Sequence, residues 1–455
     1  MRRQTITLCW LASVLAATVC SCSSKIDWTG FDAGQSSGGV MAVGGANGTS
    51  AMGGAGGVSA MGGAGGVSAM GGAGGVSAMG GAGGVSAMGG AGGVSATCDE
   101  VDMDDAGDTC DAGATEPFVA TSIAGGSENT CAVLDDGSVL CWGHNEFGEL
   151  GNGTKSRSYQ PVAVVGITNA VAVALRYRDT CAVLDDGSVW CWGRERDSVV
   201  PVPVPGVSDA IAIAIGDMAS CALLSSGSVQ CWGVSGSLGC GSQDCGHQPA
   251  SVLGISQAVA ISAGQEHSCA LLNDGTVQCW GHNDIGQVGV GTTAEGDYYG
   301  PVTVSGITDV VALDSGEFHT CALLRSGSIA CWGINFRGEL GNGSVESSGS
   351  PVLVKSINDA IAVAAGGSFT CAVLSNHTVQ CWGEFIKAIV GTLWSSPLPR
   401  VVPGTCDATA VADTGGDGCA LLSSGSIKCW GTNEYGVSGN GTDTPSFVPV
   451  TPCGF

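Results

Sequence analysis

The chain has 455 residues, 40 of them acidic and 15 basic, giving a formal charge of −25. That balance excludes nucleic acid and anionic membrane surfaces as natural partners, because phosphate contacts require Lys and Arg. Aromatic residues amount to 5% against 78 glycines, so a core must be assembled from Val, Ile, Leu, Ala and sparsely placed Trp, while 23 cysteines point to an oxidising compartment.

At the amino terminus Arg2 and Arg3 precede an apolar run from Ile6 to Val19. A charged head before an apolar stretch too short for a comfortable transmembrane helix reads as an export signal. Val19-Cys20-Ser21-Cys22 follows and resembles a bacterial lipobox, with a small residue just before the modified cysteine. Cys22 would then be the lipidated end of a surface or outer-membrane lipoprotein; Cys20 suits the role less, and ordinary signal cleavage with secretion is the alternative. Residues 1–22 are assigned to signal and lipobox on this basis.

Residues 23–97 are rich in Gly, Ala, Ser and Met, and AMGGAGGVS repeats five times in tandem from Ala51 to Ser95. A period of nine fits neither strand nor helix, and so much Gly makes ordering costly, so the expectation is a flexible tether. Gly does not fall at every third position, which excludes collagen. Residues 98–117 form an acidic linker with Asp102, Asp104, Asp105, Asp108 and Asp111. They lack the spacing of a calcium-binding EF-hand loop, and a Cys98–Cys110 disulfide would close the segment.

From residue 118 to 455 one unit recurs. Cys131 to Gly143, CAVLDDGSVLCWG, returns from Cys181, Cys221, Cys269, Cys321, Cys371 and Cys419, always with two cysteines ten positions apart and Trp-Gly after the second. Such a period means a repeat architecture. Each copy reads as a β-hairpin around a three-residue loop whose third position needs a left-handed backbone, supplied by Gly in six copies and by His377 in the seventh. The cysteines then face one another across the strands, at disulfide distance. Seven pairs follow: Cys131–Cys141, Cys181–Cys191, Cys221–Cys231, Cys269–Cys279, Cys321–Cys331, Cys371–Cys381 and Cys419–Cys429. Zinc would need four ligands, and each repeat offers two, so no metal is assigned.

An apolar strand such as Ala210 to Ile215 precedes each hairpin, and a Gly-rich loop and a Pro-Val strand such as Pro161-Val162 follow it. Pro suits an edge strand. Four short strands in each of seven repeats predict an all-β, seven-bladed propeller. Cys240–Cys245 would form a local disulfide, and Cys406–Cys453 would fasten the carboxyl end; closure of the ring would otherwise depend on the strand near Phe447 to Val450 meeting the first repeat.

The full pattern, with WGHNEFGELGNG at Trp142 to Gly153 and WGINFRGELGNG at Trp332 to Gly343, resembles the regulator of chromosome condensation repeat family. The resemblance implies the seven-bladed fold over residues 118–455. The family's cytosolic members usually lack the paired cysteines, so this copy looks adapted for export. One eukaryotic member is a nucleotide-exchange factor that binds chromatin, and a secreted bacterial propeller resembling it inhibits β-lactamases. Export and charge weigh against exchange activity here. The expectation is a non-catalytic surface or secreted protein-binding module without cofactor, its partner unidentified; inhibition of a secreted enzyme is the alternative, with hydrolase or lyase activity a third reading.

Three features imitate sites. GELGNG leads to a strand rather than a phosphate-binding helix. The recurring Trp serves blade packing, and Asp135-Asp136 occupies a turn that favours Asp. Breaks in the repeat are more telling: Arg176, Tyr177, Arg178, Arg194 and Arg196 interrupt the second copy. Loops after the first and third strands should share one disc face, making these five a candidate partner-binding group. The small apolar first strands argue against polar residues converging on the central channel.

Overall fold

The structure, a computed structural model, describes residues 117–455 except 234–236, 243–244, 246, 293–295 and 385–394, together with a two-residue strand pair at Thr49–Ser50 and Ser59–Ala60. The export signal, nearly all of the tether and of the acidic linker, and with them Cys22, Cys98 and Cys110, lie outside the described residues.

Seven four-stranded antiparallel sheets follow one another along the chain, and in each the spatial order of the strands is their sequence order. The innermost strands are Ala120–Gly125, Ala170–Arg176, Ala210–Ile215, Ala258–Ala263, Val310–Ser315, Ala360–Ala365 and Ala408–Asp413. They open blades 1 to 7 of a propeller. Outer strands such as Ser158–Ala163 and Ser348–Leu353 carry the Pro-Val pairs at the blade edge, where a missing N–H costs no ladder bond.

The hairpin at the centre of each blade follows from its sequence. Val133 pairs with Val139 and Cys131 with Cys141, which leaves the three-residue loop ending at Gly137, φ 81°. His377 adopts φ 63° at the equivalent place and sets Nδ1 3.0 Å from the Ala408 carbonyl, a contact that Gly could not make. All seven cysteine pairs at this position are disulfide-bonded, with Cα atoms 4.0 to 4.1 Å apart. The bonds are buried against Val, Ala and Leu of the neighbouring strands. Cys240 is bonded to Cys245, and Cys406 and Cys453 are each disulfide-bonded.

Between blades the recurrent Trp does the joining. All seven rings are buried, each taking roughly 200 Å² out of water, worth at most about 5 kcal/mol. In five of the seven the indole N–H donates to a carbonyl in the loop of the preceding blade, for example Trp192 to Glu149 at 2.7 Å, Trp332 to Gln287 at 2.9 Å and Trp382 to Glu339 at 2.8 Å. Thr180 and Thr370 hydroxyls donate to the same Glu149 and Glu339 carbonyls. The GELGNG loop is therefore a strut between blades. Asn145 fixes its shape, accepting from the Leu150 N–H at 2.9 Å and donating to the Thr154 and Ser156 carbonyls.

Closure does not rest on a strand shared with the first repeat. Strand Ser446–Val450 pairs with Ile427–Gly431 of its own blade, not with the first repeat. Blades 7 and 1 are instead joined by the Ala120 N–H donating to Gly425, the Trp142 indole donating to Val437 at 2.7 Å, and the two ends of the domain meeting. There the Phe118 N–H donates to Gly454 at 2.6 Å and Phe118 and Phe455 stack edge to face, 5.6 Å apart. With all four strands of the last blade contributed by contiguous chain, no strand remains to be shared.

Candidate functional site

The loops after the innermost strand and after the third strand lie together in each blade. The Arg194 N–H donates to Arg178 and the His144 N–H to Glu128, both at 2.9 Å, on the face opposite the cysteine-hairpin turns. This loop face holds the exceptions to the repeat. In blade 2 the strut is missing, and the Trp232 indole N–H in blade 3, buried like the others, has no partner among the described residues.

The five residues singled out from the sequence separate into three environments. The Arg178 guanidinium lies 4.5 Å from the centre of the Phe147 ring and 4.6 Å from that of Tyr177, its Nε buried without a hydrogen-bond partner among the described residues, so ring faces solvate this cation. Tyr177 is held at φ 52° and is 38% exposed. Arg194 is exposed and Arg196 half-buried on the short blade 2 loop. Beside them Asp179 accepts from the Glu195 N–H at 2.6 Å, and burial pushes its carboxyl up to about 6. Arg176 leaves the group: its Nε pairs with Asp217 at 3.2 Å and its Nη1 approaches the Ser315 carbonyl at 3.5 Å, at the channel mouth.

Other residues join Arg178 instead. His144 stacks edge to face on Tyr435, centroids 5.1 Å apart, and Arg157 lies 5.7 Å from the same Tyr435 ring. His144 and Phe147 belong to one loop of blade 1, so Tyr435, Arg157, His144, Phe147, Arg178 and Tyr177 form a strip across blades 7, 1 and 2, in which His144 is buried and the other five are at least partly exposed. Phe147 and Tyr435 occupy the same position of the Asn-x-x-Gly loop, which is Ile285 in blade 4. Aromatic identity at that one loop position was the available sequence signal.

The channel departs from its expected apolar character. A cavity of about 260 Å³ lies at its loop-face end, walled by Ile123, Ala174, Ile213, Ile261, Val363 and Val411, and Arg176, Asp314, Glu317 and Asp413 also line it. Arg176 replaces a Gly that recurs as Gly126, Gly216, Gly264, Gly316 and Gly366, Asp314 replaces the Ala or Ser of its strand position, and Asp413 stands where other blades carry uncharged residues, Leu175 and Ile215 among them. Burial pushes the Asp314 carboxyl up to about 6 and the Asp413 carboxyl up to about 7; backbone N–H bonds and Arg176 oppose the rise. Below them His267 and His319, buried and further opposed by Arg176, fall to about 3 and stay neutral. Their Nε2 atoms contact the Thr320 and Thr370 hydroxyls at 2.8 and 2.9 Å, which locks adjacent blades together.

Two family models described as the regulator of chromosome condensation (RCC1) repeat match the chain, one at residues 120–149, 258–287 and 310–339, the other at 136–183, 274–323 and 326–373. Yeast RCC1 (Prp20), in a crystal structure bound to Kap60, is similar in fold, with TM-score 0.61 and 20% identity, covering 73% of this chain and 84% of that one. A second structure, of Prp20p from Saccharomyces cerevisiae, gives TM-score 0.60 at 20% identity over 74% and 87% of the two chains. Human WBSCR16 gives TM-score 0.62 at 19% identity over 69% of this chain and 93% of its own. No curated protein matches the sequence.

Proposed function

We propose, from the premise that this chain belongs to the RCC1 repeat family and is a seven-bladed propeller, that it is an exported, non-catalytic binding module that engages protein partners through its loop face. The observation carrying this reading is the strip of Tyr435, Arg157, His144, Phe147, Arg178 and Tyr177. Arginine and tyrosine dominate binding hot spots because they combine large contact area with directional donors at a modest ordering cost. One hairpin disulfide in each of seven repeats favours an oxidising location outside the cytoplasm. A lipid anchor at Cys22 and a Gly-rich leash would present the disc at a surface.

A surface-exposed binder and a soluble inhibitor of a secreted enzyme would both use the strip, and its continuity over three blades favours the inhibitor where the partner offers a cleft. Crosslinking on intact cells with the full chain, followed by identification of captured proteins, separates the two. Joint replacement Phe147→Ala, Tyr177→Ala and Arg178→Ala is expected to lower capture of the main partner at least tenfold. Unchanged capture would remove the strip from consideration.

A further inference from the structure

The channel cavity carries polar groups that the propeller itself leaves unmatched. Ser262 and Ser315, 4% and 3% exposed, line it with hydroxyls that have no partner among the described residues, and the Asp413 Oδ1 has none there either. A buried polar atom left so costs about 1–3 kcal/mol, and a bound group that pairs with it recovers that cost. The two carboxylates also converge. Asp314 Oδ2 accepts from the Ala365 N–H at 2.9 Å, and Asp413 overlies the next residue, Gly366, so closely that a Cβ there would collide with its carboxyl group. Blades 5 and 7 thus deliver one carboxylate each to the end of the same strand of blade 6.

We propose that this cavity binds a small aliphatic amine, its ammonium seated between Asp314 and Asp413 and its hydrocarbon chain along the innermost strands. Charge decides the sign of the ligand: Asp314, Asp413 and Glu317 line the cavity against the single guanidinium of Arg176, which is already engaged by Asp217. An ammonium supplies three donors, matched to carboxylate and hydroxyl acceptors. Shape decides the rest. The wall beyond the carboxylates is Ile, Val and Ala, and the volume of about 260 Å³ exceeds the roughly 150 Å³ that accepts a benzene ring. A lysine side chain reaching in from a partner protein offers the same chemistry as a free alkylamine.

Calorimetric titration of the purified, oxidised full chain at pH 8, where both carboxyl groups are ionised, tests this with n-pentylamine, with valerate as its anionic counterpart, and with Nα-acetyl-lysine methylamide as a stand-in for a partner's lysine. One-to-one binding of either cation, and none of valerate, is expected; the tighter cation identifies the source. Asp314→Asn and Asp413→Asn should each weaken binding at least tenfold, whereas Glu146→Gln, on an exposed loop carboxylate, should leave it unchanged. Ser262→Ala keeps the proposal testable should the Asp variants fold poorly: losing an unpaired hydroxyl should hold or raise Tm while weakening the amine about threefold. Absence of binding by both cations, equal binding of valerate, or unaltered affinity in Asp314→Asn and Asp413→Asn would overturn it.

Discussion

Blades 2 and 5 share the same stapled hairpin and differ at the loop face. In blade 5 the Glu339 carbonyl receives both the Trp382 indole and the Thr370 hydroxyl of the next blade. Blade 2 has lost that loop, and Trp232 beyond it keeps its burial but not its hydrogen bond. The comparison separates two duties of one repeat: the disulfide-bonded hairpin holds the blade together, and the strut holds it to its neighbour. In blade 2, Arg194 and Arg196 occupy the positions that the strut has left.

The hairpin should be indifferent to this contrast. Replacing both cysteines by Ser in blade 2 (Cys181, Cys191) or in blade 5 (Cys321, Cys331) is expected to cost a similar amount, about 2–3 kcal/mol in denaturant unfolding. A large difference between the two would break the separation of duties.

The channel sharpens the contrast in charge, since blade 2 sends Arg176 there and blade 5 sends Asp314. Asp413 has its carboxyl raised to about 7 in the folded chain, so folding favours its protonated form. Its stabilising contribution is complete below the unfolded value near 3.8 and is lost as pH rises through about 7. Relative to wild type, Asp413→Asn should therefore gain stability between about pH 4 and pH 7, by about 2 kcal/mol once its partial exposure to the cavity is allowed for. His267 and His319 run the other way: lowered to about 3, they stabilise fully above about 6.5 and lose that contribution as pH falls. Thermal melts across pH 4 to 8 check both slopes.

At the strut itself, Trp382→Phe leaves the Glu339 carbonyl short of a donor, whereas Trp232→Phe removes an N–H that has none to meet. The first should cost about 1–2 kcal/mol more than the second. Equal costs would mean that the indole bond contributes nothing to joining blades. The smallest effect belongs to the turn: His377→Gly relieves the left-handed backbone but loses the contact to Ala408, so the change should stay within about 0.5 kcal/mol.

The hairpins, their register and the blade count were legible because each rests on local spacing: two cysteines ten apart and a Gly at the turn leave one arrangement. The site was legible only in pieces. Arg176, Tyr177 and Arg178 stood out as interruptions, but consecutive residues around a φ of 52° diverge, and sequence alone does not say that Arg176 enters the channel while Arg178 turns onto Phe147. Asp314 broke the Ala or Ser pattern of its strand position as visibly as Arg176 broke its Gly, and Asp413 put a charge where every other blade has an uncharged residue. Their meeting over Ala365 and Gly366 depends on three blades and was hidden among positions ninety-nine residues apart. The strip from Tyr435 to Tyr177 was hidden for the same reason, because the last blade neighbours the first only once the ring has closed.

The crosslinked hairpins also set how this domain yields under tension. The segment between each pair of bonded cysteines, such as Cys131 to Cys141, is withheld from extension, so a pulled blade can release only its innermost and outer strands and the loops beside them. Force entering at Phe118 meets first the contact with Gly454 and Phe455, and the seam between blades 7 and 1 becomes the place where the disc opens.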